Sequence, residues 1–222
     1  MVEIGRIDVA CEVSMMSSHT AMPREGHLDQ LFNLFAYLKQ HHNSRIVFDP
    51  TYPNVTWEDF PKRSWKDYYG EIREEVPDYC PKPVGKEFII RAYVDADFVG
   101  YSLTRRSRTG FITMLNGAPI YWFTKKQSSC ETSSFGSEFI AMKQCCKYLK
   151  SLRLKLRMMG IPVINPCFFY GDNQSVLWNT SVPDSVLRNK TSSVAYNYVR
   201  EGVSMDFGAQ HILRHQVTPR IF

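Results

Sequence analysis

From residue 133 to residue 159 the apolar side chains Phe135, Phe139, Met142, Cys146, Leu149, Leu152, Leu156 and Met159 recur in steps of three and four. That spacing places them on one face of a single long α-helix, and Gly160 directly behind supplies its stop. A helix of this length with one greasy side must lie on a broad apolar surface, so what precedes it decides the fold. Residues 87–97, EFIIRAYVDAD, alternate Phe88, Ile90, Ala92 and Val94 on one face with Ile89, Arg91, Tyr93 and Asp95 on the other, which is the period of a strand. Residues 110–115 and 119–124 are two further β-rich runs on either side of Asn116–Gly117, a hairpin turn signal.

After the long helix come a short buried-type strand at 167–170, helices at 173–179 and 190–201, and a final strand at 210–214. The resulting order βββαβααβ predicts an α/β domain in which helices pack on a mixed sheet. Upstream, residues 7–19 and 24–43 read as two helices able to pack on each other, the second presenting Leu28, Leu31, Phe32, Leu34, Phe35 and Leu38 behind Pro23. Between them and the sheet, Pro50, Pro53, Pro61, Pro77, Pro81 and Pro83 break up a stretch rich in Trp, Tyr and charge, with room for a short helix at 65–75. Three parts are therefore expected: helices over 1–49, a connector over 50–86 and a sheet domain over 87–222.

Charge and cysteine usage narrow the function classes. A net charge of +5 favours acidic partners such as nucleic acid. None of the six cysteines forms a C-x-x-C pair, so a disulfide scaffold or a zinc ribbon is not indicated and reduced thiols of an intracellular protein are expected. Glu3, Arg6 and Asp8 interrupt the place where a signal peptide would keep its apolar core, and no apolar run reaches membrane-spanning length.

Three acids stand at element ends: Asp95 at the close of the first strand, Glu138 in the opening turns of the long helix, and Asp172 just after the fourth strand. If strands one and four are neighbours and the helix crosses both, the three converge. Carboxylates crowded together repel unless a cation binds, and oxygen donors favour a hard ion such as Mg²⁺. Two such ions about 4 Å apart would stabilise the attacking water and the leaving oxygen of a phosphodiester. Read from spacing alone, three such acids at element ends are more often solvated caps.

The strings RAYVDADFVGYSLTRRSRTGFITMLNGAPIYWFTKKQ, SSFGSEFIAMKQ and FFYGDNQSV resemble, in order and spacing, the ribonuclease H domain of copia-type retrotransposon Pol polyproteins. GRIDVACEVSMMSSH and FAYLKQHHNSRIVFDP are similar to the segment that follows the reverse transcriptase core in the same polyproteins. The resemblance implies a ribonuclease H-like mixed five-stranded sheet with helices packed on it, preceded by a small helical remnant of the polymerase. It implies Asp95, Glu138 and Asp172 as catalytic, metal-binding carboxylates for Mg²⁺ or Mn²⁺, and an RNA–DNA hybrid as substrate. Asp97 belongs to the motif without being a ligand.

Arg105, Arg106 and Arg108 after the first strand and Lys125 and Lys126 after the third would supply phosphate contacts, while 2′-hydroxyls in the minor groove mark the RNA strand. Lys147, Lys150, Arg153, Lys155 and Arg157 on the long helix fit either such contacts or a wet helix face. Ala96 separates the two aspartates of YVDAD, so the paired aspartates of a polymerase site are absent from that string.

Two departures from the family pattern bear on activity. The histidines expected near Lys190 and Tyr196 are replaced, and no acid follows Asp206 where a fourth carboxylate belongs, the frame being cut there or the position having drifted to a residue such as Ile221. His215 stands near the place of a histidine that assists product release in many ribonucleases H, or is simply a solvated terminal residue. A catalytically silent nucleic-acid-binding module is therefore the alternative to an active nuclease.

Overall fold

A computed structural model describes residues 2, 5–55, 60, 63–101, 104–187, 192–205 and 208–212. The positions discussed above at 190, 191, 206, 215 and 221 lie outside the described residues. At the centre is a five-stranded mixed sheet in the order β3-β2-β1-β4-β5, formed by β1 (Ile90–Tyr101), β2 (Arg106–Leu115), β3 (Ala118–Lys126), β4 (Cys167–Gly171) and β5 (Gly208–Ile212). The first three strands run antiparallel as a meander, and β4 and β5 join parallel to β1 and to each other. The five-stranded α/β architecture expected from the order of elements is the one observed.

Boundaries differ where polar residues are buried. β2 begins four residues earlier than apolar alternation indicates, because Ser107 and Thr109 are buried in its ladder alongside Phe111. β1 runs on to Tyr101 through an irregularity between Asp97 and Tyr101, since β2 extends far enough to pair with it. At the β2–β3 hairpin Asn116 takes φ 51°, and its side chain accepts from the Ile89 N–H at 2.9 Å and donates to the Pro50 carbonyl at 2.9 Å. The turn residue thus also anchors the connector.

Helix α4 (Ser134–Met158) lies across the sheet. Ser133 Oγ caps it by accepting from the Gly136 N–H at 3.2 Å, and Gly160 at φ 73° ends it in the left-handed conformation that suits a residue without a side chain. Phe139, Met142, Cys146 and Leu149 meet Ala92, Val94 and Phe169 in the core, which Val199 closes from above. Val199 belongs to α6 (Ser193–Ser204), and α5 (Gln174–Ser181) begins with Asn173 Oδ1 accepting from the Val176 N–H. The wet-face reading fails for part of α4: Arg153 is 2% exposed, its guanidinium donating to Glu74 at 2.6 Å and to the Asn165 carbonyl at 2.7 Å. Arg157 joins the same carboxylate at 2.7 Å. The connector, helical among the described residues at α3 (Lys66–Tyr69), is tied to the domain through Glu74.

The N-terminal helix at 7–19 is a composite of a 3-10 turn (Ile7–Val9), α1 (Ala10–Met16) and a second 3-10 turn (Ser17–His19). Rather than pairing only with its successor, α1 packs on β3, where Ser14 Oγ donates to the Thr124 carbonyl at 3.1 Å and accepts from Arg108. Trp122 on the same strand donates to the Val2 carbonyl at 3.1 Å. Helix α2 (Glu25–Gln40) leans against α1 with no residue fully buried.

Candidate active site

The parallel pairing of β1 with β4 covers only Arg91–Tyr93 against Phe168–Tyr170. β1 continues while β4 stops at Gly171, and this leaves a notch at the carboxyl end of the parallel pair, the usual ligand crevice of an open α/β sheet. Asp95 stands on β1 two residues past the last paired position, and Asp172 is the first residue after β4. Asp95 is therefore inside a strand rather than at its end, and the end that matters is that of β4. Glu138 enters the notch from the second turn of α4.

One carboxylate oxygen from each of Asp95, Glu138 and Asp172 lies within 4.8 Å of the others. Asp95 and Glu138 are half-buried and Asp172 is exposed. Burial, and then the charges of Asp95 and Asp172, push the Glu138 carboxyl up from its ordinary 4.5 to about 9. Asp95 is also raised, first by burial and then by Asp172, against the opposing effect of the Ala96 N–H, which donates to Asp95 Oδ1 at 2.8 Å. None of the ion pairs among the described residues includes these three acids. Three hard oxygen donors with no partner cation fit a divalent ion: they are close enough to share it, and their own repulsion is what it would relieve.

Two residues that sequence reasoning left without a role support this geometry. Gln127 is 5% exposed, and its amide donates to Thr109 Oγ1 at 3.0 Å and to the Ser137 carbonyl at 2.9 Å. It thereby fixes the opening turn of α4, one residue before Glu138, to the first part of β2. The motif string quoted for the resemblance ends on Gln127, and that was the available signal. Gly100 is the second: a Cβ there would meet the Asp97 carboxylate, and that exposed side chain would have to swing aside.

The five basic residues proposed for phosphate contact do not share one surface. Arg105 and Lys125 are exposed, and Arg106 and Lys126 are half-buried. Arg108 is 4% exposed and held by Ser14, so it serves the packing of α1 on the sheet and is removed from the solvent-facing set. Register explains the split, because partners in a ladder share a face and neighbours alternate. Lys126 pairs with Arg108 and Asp97 on the α1 side, whereas Lys125 follows Thr109 and Ala96 on the α4 side, the side from which Glu138 comes.

The sheet order, the direction of its strands and the carboxylates at the β1–β4 notch define a ribonuclease H-like fold. No protein-family model matches the chain. In sequence it is similar to the retrovirus-related Pol polyprotein from transposon RE1 of Arabidopsis thaliana, 25% identical over 198 residues that make up 89% of this chain and 11% of that protein. It is also similar to the corresponding polyprotein from transposon TNT 1-94 of Nicotiana tabacum, 29% identical over 119 residues, 54% of this chain and 9% of the relative. The chain thus spans about a tenth of the length of these relatives. Among solved structures it is similar to RNase H1 from Halobacterium salinarum NRC-1, with 11% identity and a TM-score of 0.43 over 57% of this chain and 86% of that one. The copia-type Pol resemblance read from the motifs is borne out by these sequence relatives, and the fold is ribonuclease H-like. No helix among the described residues is long and apolar enough to cross a membrane.

Proposed function

We propose that the chain is a metal-dependent ribonuclease H module of a retrotransposon polyprotein, hydrolysing the RNA strand of RNA–DNA hybrids. The observation that carries this reading is the approach of Asp95, Glu138 and Asp172 to within 4.8 Å in a half-buried notch. Two half-buried carboxyls held against an exposed third are costly for folding, which makes the cluster a candidate for chemistry. Asp95, Glu138 and Asp172 would hold Mg²⁺ or Mn²⁺. Bound there, the cation supplies an electrophile for a phosphate oxygen and acidifies coordinated water.

The protein's own residues set the stage. The Ala96 N–H orients Asp95, Gln127 fixes the turn that delivers Glu138, and the end of β4 places Asp172 at the solvent side. Lys125 and Arg105 would engage the phosphates of the hybrid without reading its sequence, Arg106 and Lys126 contributing from the opposite face of the sheet. Residues 1–49 are assigned as the polymerase-derived segment, 50–86 as the connector and 87–222 as the nuclease domain, with other parts of a Pol polyprotein as partners.

The second reading is a binding module without catalysis, in which Lys125 and Arg105 hold the hybrid and no bond is broken. Cleavage of a labelled RNA–DNA hybrid in Mg²⁺ and in Mn²⁺, with Asp95→Asn as control, decides between them. Metal-dependent cleavage lost in the variant supports the nuclease. Hybrid binding with a steep salt dependence and no cleavage by either protein replaces it with the binding module.

A further inference from the structure

Helix α2 carries an apolar stripe that nothing in the described fold covers. Leu31, Leu34 and Leu38 lean toward α1 and are half-buried, but Leu28, Phe32 and Phe35 remain 51%, 60% and 54% exposed. On a helical projection these three share a face with Glu25, Ala36 and Lys39, all exposed. Beside the stripe runs an apolar groove of about 370 Å³, lined by Val13, Met16, Leu28, Leu31 and Leu34. Exposed aromatic knobs and an adjacent apolar hole therefore sit on one patch, which is the condition for a self-complementary contact about a two-fold axis.

The charges select the orientation. Glu25 precedes Phe32 by seven residues and Lys39 follows it by seven, one heptad each way. Neither is ion-paired among the described residues. A second copy laid antiparallel across Phe32 brings each Glu25 to the other copy's Lys39 and sets Leu28 against the small Ala36. A parallel pair would set like charges together at both ends.

We infer that α2 is a homodimer seam in which two copies pair antiparallel about Phe32. The size of the contact is consistent with a weak, reversible pair. Two phenylalanines and a leucine, each leaving about half of its surface exposed, bury roughly 700 Å² across both copies, and the flanking residues bring this toward the ~1,200 Å² lower limit of stable complexes. Dissociation in the range of about 10–100 μM follows for a contact of that size and apolarity.

Sedimentation equilibrium of the whole chain over a concentration series tests the proposal. A monomer–dimer equilibrium is expected, and Phe32→Glu should weaken it at least ~100-fold while far-UV circular dichroism stays unchanged, because Phe32 is already exposed in the single copy. Glu25→Lys and Lys39→Glu should each weaken self-association by about tenfold, and an equimolar mixture of the two should regain wild-type affinity, since both end contacts then become attractive. A chain that stays monomeric throughout, a dimer that survives Phe32→Glu, or a mixture no tighter than the single variants overturns the inference. A monomeric chain would leave the stripe for a different occupant, such as another part of a polyprotein.

Discussion

Burial of the Glu138 carboxyl, and after it the nearby charges of Asp95 and Asp172, have a measurable cost in the metal-free protein, and Glu138→Gln reads it directly. Glu138 is held near 9 in the folded chain against 4.5 when unfolded. Between those two values the folded state carries a proton that the unfolded state has released, so stability falls as pH rises through this window. A glutamine is neutral in both states and escapes that fall. The difference between variant and wild type should vanish near pH 4, grow by about 1.4 kcal/mol per pH unit, and reach about 3 kcal/mol in favour of the variant at pH 7. For a chain of this size about 3 kcal/mol raises the melting temperature by roughly 6–12 °C. Thermal unfolding in EDTA from pH 4 to pH 9 measures it. A variant no more stable than wild type at pH 8 would show that Glu138 is not held neutral, and the argument for a cation-seeking cluster would fall with it.

Five further outcomes follow. Millimolar Mg²⁺ or Mn²⁺ should raise the melting temperature of the wild type and release protons at pH 7, measured by calorimetry in buffers of different ionisation heat, and Asp95→Asn and Asp172→Asn should lose both effects. Glu74→Ala leaves the buried Arg153 uncompensated and should cost about 3–5 kcal/mol by urea denaturation, more than an exposed ion pair could. Because the Glu74 carboxyl is lowered from 4.5 to about 2 by its two arginines against the cost of burial, its contribution is present above pH 4.5 and lost as pH falls through about 2, which the acid limb of an unfolding curve reports. Gln127→Leu should weaken Mg²⁺ binding measured by titration calorimetry, with Gln127→Asn no substitute because its shorter side chain cannot span to Ser137. Lys125→Gln should lower the salt slope of hybrid binding by about one, whereas Arg108→Gln should leave the slope unchanged and lower stability instead.

Much of the sheet and the long helix was legible because apolar periodicity there is dense and regular. Phe139, Met142, Cys146 and Leu149 fall on the core face where the pattern places them, and Ala92 and Val94 answer them from β1. The site was legible through motif spacing: Asp95, Glu138 and Asp172 are far apart in sequence, and only the pairing of β1 with β4 under α4 brings them together. What periodicity hid was polar burial. Ser107, Thr109 and Arg108 occupy interior positions of β2, so its first turn of ladder carries no apolar signal, and Arg108 looks like a surface cation until Ser14 is seen above it. Arg153 misled in the same way, because its partner Glu74 lies 79 residues earlier in an otherwise irregular connector. The breaks at both ends of α1 were likewise invisible, since side-chain spacing does not separate 3-10 from α-helical turns over so few residues.

The hydrogen bond from Ser14 to the Thr124 carbonyl joins groups 110 positions apart, and Trp122 reaches Val2 across 120. Residues 2–16 are made before the surface that receives them, which is finished only after β3 has left the exit tunnel. The start of the chain must therefore wait, solvated, for its seat. Trimming it to isolate the β1–β5 region would bare Trp122 and the outer side of the meander, so a shortened protein beginning at residue 87 is expected to come out of expression aggregated while the longer one stays in solution.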